Sequence, residues 1–123
     1  MTEVKTILVV DDSKVSRMMI RAFILDKHPD WIIEDAATGE IALEKIRTII
    51  PDLISVDVNM PGMGGLAAAE QLRAECPQAY ISLLTANIQE STRRKAQELN
   101  VGFLEKPITK QRIEQMISIL ENN

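Results

Sequence analysis

Apolar residues in this chain fall into two alternating kinds of run. Short continuous stretches occur at Ile7-Leu8-Val9-Val10, Leu53-Ile54-Ser55-Val56, Ile81-Ser82-Leu83-Leu84 and Val101-Gly102-Phe103-Leu104. Their length and continuity predict strands buried on both faces, as in a parallel sheet covered by helices. Trp31-Ile32-Ile33-Glu34 reads as a further strand, second in chain order. Between the strands, apolar positions recur at helical spacing: Val15, Met18, Met19, Ala22 and Leu25, then Ile41, Ala42, Ile46 and Ile49, then Leu66, Ala69 and Leu72. A fourth helix is predicted from about Ile88 to Leu99, with Asn100 as a left-handed cap. The last, from about Thr109 to Glu121, presents Ile113, Met116, Ile117 and Leu120 at core spacing. Pro29-Asp30 and Pro51-Asp52 end the first two helices, and Thr38-Gly39 turns the chain into the second. Strand and helix alternate without a long linker, a repeat or a low-complexity stretch. The expected architecture is α/β, a doubly wound five-stranded parallel sheet with five helices, as one domain over residues 1–123.

This architecture brings distant residues together. In doubly wound sheets the carboxyl ends of the strands gather along one edge, and ligands bind there. The first run ends at Asp11-Asp12, the third strand at Asp57, the fourth at Thr85, and the fifth leads to Lys106-Pro107. Three acids, a hydroxyl and an ammonium in one pocket suit a hard cation and a phosphoryl group. Two carboxylates about 5 Å apart repel by roughly 3 kcal/mol at an effective dielectric near 20. Three together therefore need a cation, or one must take up a proton.

Composition narrows the function. Eighteen acids against 14 bases, a formal net charge of −4, argue against nucleic acid as the main partner. No apolar run approaches membrane-spanning length, and the N-terminus lacks the pattern of a signal peptide, so the expected location is cytoplasmic, away from membranes. Cys76 is alone, so no internal disulfide forms, consistent with a reducing compartment.

Four motifs, Val10-Asp11-Asp12-Ser13, Asp57-Val58-Asn59-Met60-Pro61-Gly62-Met63, Leu84-Thr85-Ala86 and Phe103-Leu104-Glu105-Lys106-Pro107, occur in order, each where a strand ends. Singly they are common. Together they resemble, over essentially the whole chain, the receiver domain of bacterial two-component response regulators, the CheY-like family with a flavodoxin-like fold.

The resemblance implies a role for each residue. Asp57 accepts a phosphoryl group from a partner's phosphohistidine, giving an acyl phosphate. Asp11, Asp12 and Asp57 hold Mg²⁺, with the Asn59 backbone carbonyl as a further ligand; Mg²⁺ favours such a mix of few carboxylates and retained waters. Lys106 and Thr85 sense the product, Lys106 through a charge-assisted bond to a phosphoryl oxygen. Phe103, three residues before the lysine, is the ring that turns inward when Thr85 moves. The Lys106-Pro107 bond is expected to be cis. Asn59 and Asn87, two residues after Asp57 and Thr85, flank the route of water to the acyl phosphate and tune its lifetime.

The implied partners are a sensor histidine kinase or histidine phosphotransfer protein and a downstream protein, the flagellar motor switch among the candidates. A monomer, or a dimer formed on phosphorylation, is expected. The chain stops with the last helix, so the foremost reading is a stand-alone, non-enzymatic regulator of chemotaxis type. The alternatives are a phosphorelay intermediate and a receiver detached from a longer regulator. An aspartate-nucleophile phosphatase is a minor alternative, since such enzymes usually place a second acid where this chain has Asn59.

Other residues are read as structural. His28 is expected on the surface, Trp31 as packing at the sheet margin, and Met18, Met19, Met60, Met63 and Met116 as core and loop filling. Arg93-Arg94-Lys95 is a basic run on the fourth helix, either a solvated face or a docking patch. The Gly62-Met63-Gly64-Gly65 loop departs from the family pattern and predicts a flexible loop with a weak cap on the helix that follows. A second departure is the tight Leu99-Asn100-Val101 connection where the family usually has Gly-Ala.

Overall fold

In a computed structural model of the chain, residues 3–121 are described. Five strands, β1 (Thr6–Val10), β2 (Ile32–Ala36), β3 (Leu53–Asp57), β4 (Tyr80–Thr85) and β5 (Gly102–Glu105), alternate with five helices. These are α1 (Lys14–Lys27), α2 (Gly39–Lys45), α3 (Gly65–Glu75), α4 (Glu90–Leu99) and α5 (Lys110–Glu121). All strand pairs are parallel, in the order β2-β1-β3-β4-β5. The chain leaves β1 outward to β2, then returns across it to β3. That reversal opens a crevice between the carboxyl ends of β1 and β3.

Side chains alternate between the two faces of the sheet, so each strand feeds two cores. Leu8, Val10, Ile54, Val56 and Leu83 pack with Ala68, Ala69 and Leu72 of α3 and Ala96 of α4. On the other face Ile7, Val9, Leu53 and Leu84 meet Ile20 and Ile24 of α1 and Ile113, Met116 and Ile117 of α5. β3 is buried along its whole length, Ser55 and Asp57 included, so its apolar residues Leu53, Ile54 and Val56 serve both cores.

Several expected details are corrected. The buried face of α1 is Ile20 and Ile24, whereas Val15, Met18 and Met19 are exposed, Met18 by 58%. Apolar residues cover more than one stripe of this helix, so spacing alone could not orient it. In the fold Arg17 donates to the Asp11 carbonyl at 2.7 Å and to Asp35 at 2.9 Å, and Arg21 donates to the Ile33 carbonyl at 2.9 Å. Met18 and Met19 are therefore not core residues.

β2 starts at Ile32, because Trp31 closes a turn by donating its backbone N–H to the His28 carbonyl at 3.1 Å. Helix α2 ends at Lys45, with Ile46 as its cap and Ile49 beyond it; α4 begins at Glu90, with Gln89 as its cap, later than expected. His28 is partly covered rather than open on the surface. Its side chain is 12% exposed, stacks on Trp31 with ring centroids 3.9 Å apart, and pairs with Glu121 at the end of α5. A neighbouring ring and a carboxylate on a distant helix, neither adjacent in sequence, cover it. Asn100 adopts the expected left-handed conformation, φ 57°.

Candidate functional site

The carboxyl ends of β1, β3, β4 and β5 bring the expected residues to one edge of the sheet. Asp11 and Asp57 are buried, Asp12 is exposed at the rim, and one carboxylate oxygen from each lies within 4.8 Å of the others. From the end of β5, Lys106 reaches in and sets its Nζ 3.3 Å from Asp57 Oδ1. The same oxygen accepts the Asn59 backbone N–H at 3.2 Å. The Lys106-Pro107 bond is cis.

Local backbone geometry orders the acids. Asp11 Oδ1 accepts the Ser13 N–H at 2.9 Å, the first bond of the turn that starts α1, where Ser13 caps the helix. Its other oxygen, Oδ2, is buried and has no hydrogen-bond partner. An unpartnered buried carboxylate oxygen costs free energy unless something supplies positive charge. Burial pushes the Asp11 carboxyl above its ordinary range; the Ser13 N–H opposes this, and the Asp57 charge adds to it. The three acids thus form a hard-oxygen set that could hold a metal ion, and Mg²⁺ fits its chemistry. Asn59 itself is exposed at the mouth.

Thr85 is buried and its hydroxyl is engaged locally. It donates to the Asn87 carbonyl at 3.0 Å and accepts the Asn87 N–H at 3.2 Å, closing the turn after β4. Asn87 is exposed. Phe103 is half-buried on β5, paired in register with Leu83 and so on the same face of the sheet as Thr85. Over its ring lies the Arg93 guanidinium of α4, 5.2 Å from the centroid. Of the basic run, Lys95 turns instead to Glu70 of α3 at 3.0 Å.

Gly65 is a site residue that sequence reasoning missed. A Cβ there would stand 2.0 Å from the Asp57 carbonyl oxygen and 2.6 Å from Val58 Cα. Glycine lets α3 start directly against the backbone that carries Asp57. Its neighbour Gly64, at φ 80°, gives α3 no side-chain cap, as expected from the Gly-Gly pair. The pair itself was visible in the sequence; what the second glycine touches was not.

The family description of the response regulator receiver domain matches residues 7–118. Chemotaxis protein CheY of Bacillus subtilis is 34% identical over 113 residues, covering 91% of this chain and 93% of that protein. A protein-glutamate methylesterase/protein-glutamine glutaminase of Methanosarcina acetivorans is 34% identical over 98 residues, which is 80% of this chain. That match is 28% of the methylesterase, so this chain spans under a third of such relatives. Among solved structures, chemotaxis protein CheY4 of Vibrio cholerae superposes with a TM-score of 0.87 at 26% identity, covering 96% of this chain and 99% of that one. Matched over residues 7–118 and folded like a chemotaxis receiver along nearly all its length, this chain belongs to the response regulator receiver family.

Proposed function

We propose that the chain is a single receiver domain that takes a phosphoryl group onto Asp57 and uses it to switch a protein-binding surface. The observation that carries this reading is the convergence of Asp11, Asp12 and Asp57 within 4.8 Å, with Lys106 3.3 Å from Asp57. In the transfer, an Asp57 carboxylate oxygen attacks phosphorus, the P–N bond of a partner's phosphohistidine breaks, and the imidazole leaves with the bonding pair. Asp11, Asp12 and Asp57, with the Asn59 carbonyl, are the residues that would hold Mg²⁺. The bound ion supplies charge to offset that building on the transferred oxygens. Lys106 pairs with one phosphoryl oxygen. Thr85 gives up Asn87 to donate to another, and Phe103 turns toward the space it leaves. Asn59 and Asn87 border the approach of hydrolytic water.

The chain acts in the cytoplasm, receives its phosphoryl group from a histidine kinase or histidine phosphotransfer protein, and answers to a downstream protein rather than nucleic acid. Similarity to Bacillus CheY across nine-tenths of both chains favours a chemotaxis-type regulator. The equal identity to the methylesterases favours a second reading, a receiver module whose output is a separate catalytic domain.

Labelling with radioactive acetyl phosphate tests the acceptor. Asp57→Asn should lose all label, and label persisting at another residue would overturn the assignment. Protein loaded with beryllofluoride, used as bait in the host lysate, tests the output. Capture of a motor-switch protein by the loaded form alone supports the chemotaxis reading. Capture of a phosphotransfer protein irrespective of loading favours the relay.

A further inference from the structure

Two contacts bracket the entrance to the fourth helix. At its entrance, the Thr85 hydroxyl is committed twice to Asn87, as donor to the carbonyl at 3.0 Å and acceptor of the N–H at 3.2 Å. Two residues later Gln89 caps α4 without a side-chain hydrogen bond, so backbone bonds alone hold the first turn. The first of these runs from the Arg93 N–H to the Gln89 carbonyl at 3.0 Å. Arg93 then projects from that turn onto Phe103, its guanidinium 5.2 Å from the ring centroid. It makes no ion pair among the described residues, whereas Lys95 of the same basic run is paired with Glu70 and Glu98. The Arg93 charge is thus directed at the aromatic face rather than at a carboxylate.

Phe103 sits under Arg93 and one register step diagonally from Thr85. Register places Phe103 opposite Leu83 and Glu105 opposite Thr85, so Phe103 and Thr85 share the face of the sheet that α4 covers. We propose that Arg93 is a positioning residue whose stacking on Phe103 latches the unphosphorylated state, so that phosphorylation must break this contact to switch the surface. The proposal rests on the reading of Phe103 as the switching ring. It adds the element that sets how readily the ring moves.

A cation over a partly exposed ring shifts an equilibrium by about two- to fivefold. Because switching and loading are linked, weakening the latch must tighten loading, by at most the same factor. The test is the apparent affinity for beryllofluoride, with Mg²⁺ present, of wild type, Arg93→Ala, Arg93→Gln and Arg93→Lys. The alanine and glutamine variants should bind more tightly, by at most about two- to fivefold. Lysine, which keeps the cation, should stay near wild type. Unchanged or weaker binding in both neutral variants would overturn the latch, as would a lysine variant that behaves like glutamine. A separate readout tests the reading beneath it. With 4-fluorophenylalanine at Phe23 and Phe103, assigned through Phe23→Leu, the Phe103 fluorine resonance of the wild type should move on loading. If it stays still while beryllofluoride binds, Phe103 is not the switch and the latch falls with it. If it moves while the affinities do not differ, only the latch is lost.

Discussion

Asp11 is the residue whose chemistry most constrains the site. One of its oxygens is satisfied by the Ser13 N–H, while the other is buried with no partner. Burial raises its affinity for a proton, and the neighbouring Asp57 charge raises it further. A carboxyl with a raised folded value is held ionised at neutral pH at a cost to stability, which a bound cation removes. Mg²⁺ should therefore raise the melting temperature of the wild type. Asp12→Ala, which takes away the exposed member of the set, should erase that rise in a thermal melt with and without the ion. An unchanged wild-type melting temperature at millimolar Mg²⁺ would count against the metal pocket. The types of Asp11, Asp12, Asp57, Thr85 and Lys106 and their places at strand ends were legible in the sequence. The engagement of Thr85 with Asn87 was not, because a hydroxyl has several partners within reach and the turn chooses between them.

At the scale of elements, the start of α3 is the tightest fit around the site. Gly65 stands where any Cβ would meet the Asp57 carbonyl at 2.0 Å, so the helix or the strand end must shift to admit one. Gly65→Ala should destabilise the fold by roughly 1–3 kcal/mol, the usual cost of overpacking, and should also slow labelling of Asp57. Denaturant melts and acetyl phosphate kinetics check the two effects. Gly102, whose added Cβ would meet nothing closer than 4.0 Å, is the control for the loss of glycine itself. Helix α1 shows why element type was easier to read than element orientation. Its helical spacing was plain, but in the fold Ile20 and Ile24 go inward to the core shared with α5 while Arg17 and Arg21 bond the backbone of Asp11 and Ile33. Sequence spacing counts apolar residues; it does not see which carbonyls the arginines reach.

Across the whole molecule, the end of α5 is fastened back to the first helix. Glu121 of α5 accepts from Lys27 at 3.2 Å and pairs with His28, which in turn stacks on Trp31. Burial draws the Glu121 carboxyl upward, but its bonds to His28 and Lys27 outweigh this and leave it below its ordinary value. A carboxyl depressed in the folded state adds stability that is complete above its unfolded value, near 4.3, and is lost as pH falls through the folded value. Glu121→Gln should therefore lower the melting temperature at pH 7, and the gap from wild type should close as the pH falls below the unfolded value and through the lower folded one. A gap of constant size across that range would show that packing, not charge, is what the clamp contributes. The clamp also marks where sequence reading stopped. Composition and periodicity determined the strand–helix alternation, the parallel sheet and the strand-end positions of the acids, hydroxyl and lysine, because burial on two faces leaves a pattern local enough to read along the chain. Only the tertiary structure decided the rotation of α1, the partial covering of His28, the close approach at Gly65 and the contact of Arg93 with Phe103. Each of these depends on groups brought together by packing between elements, and such distances have no local signature in the order of the residues.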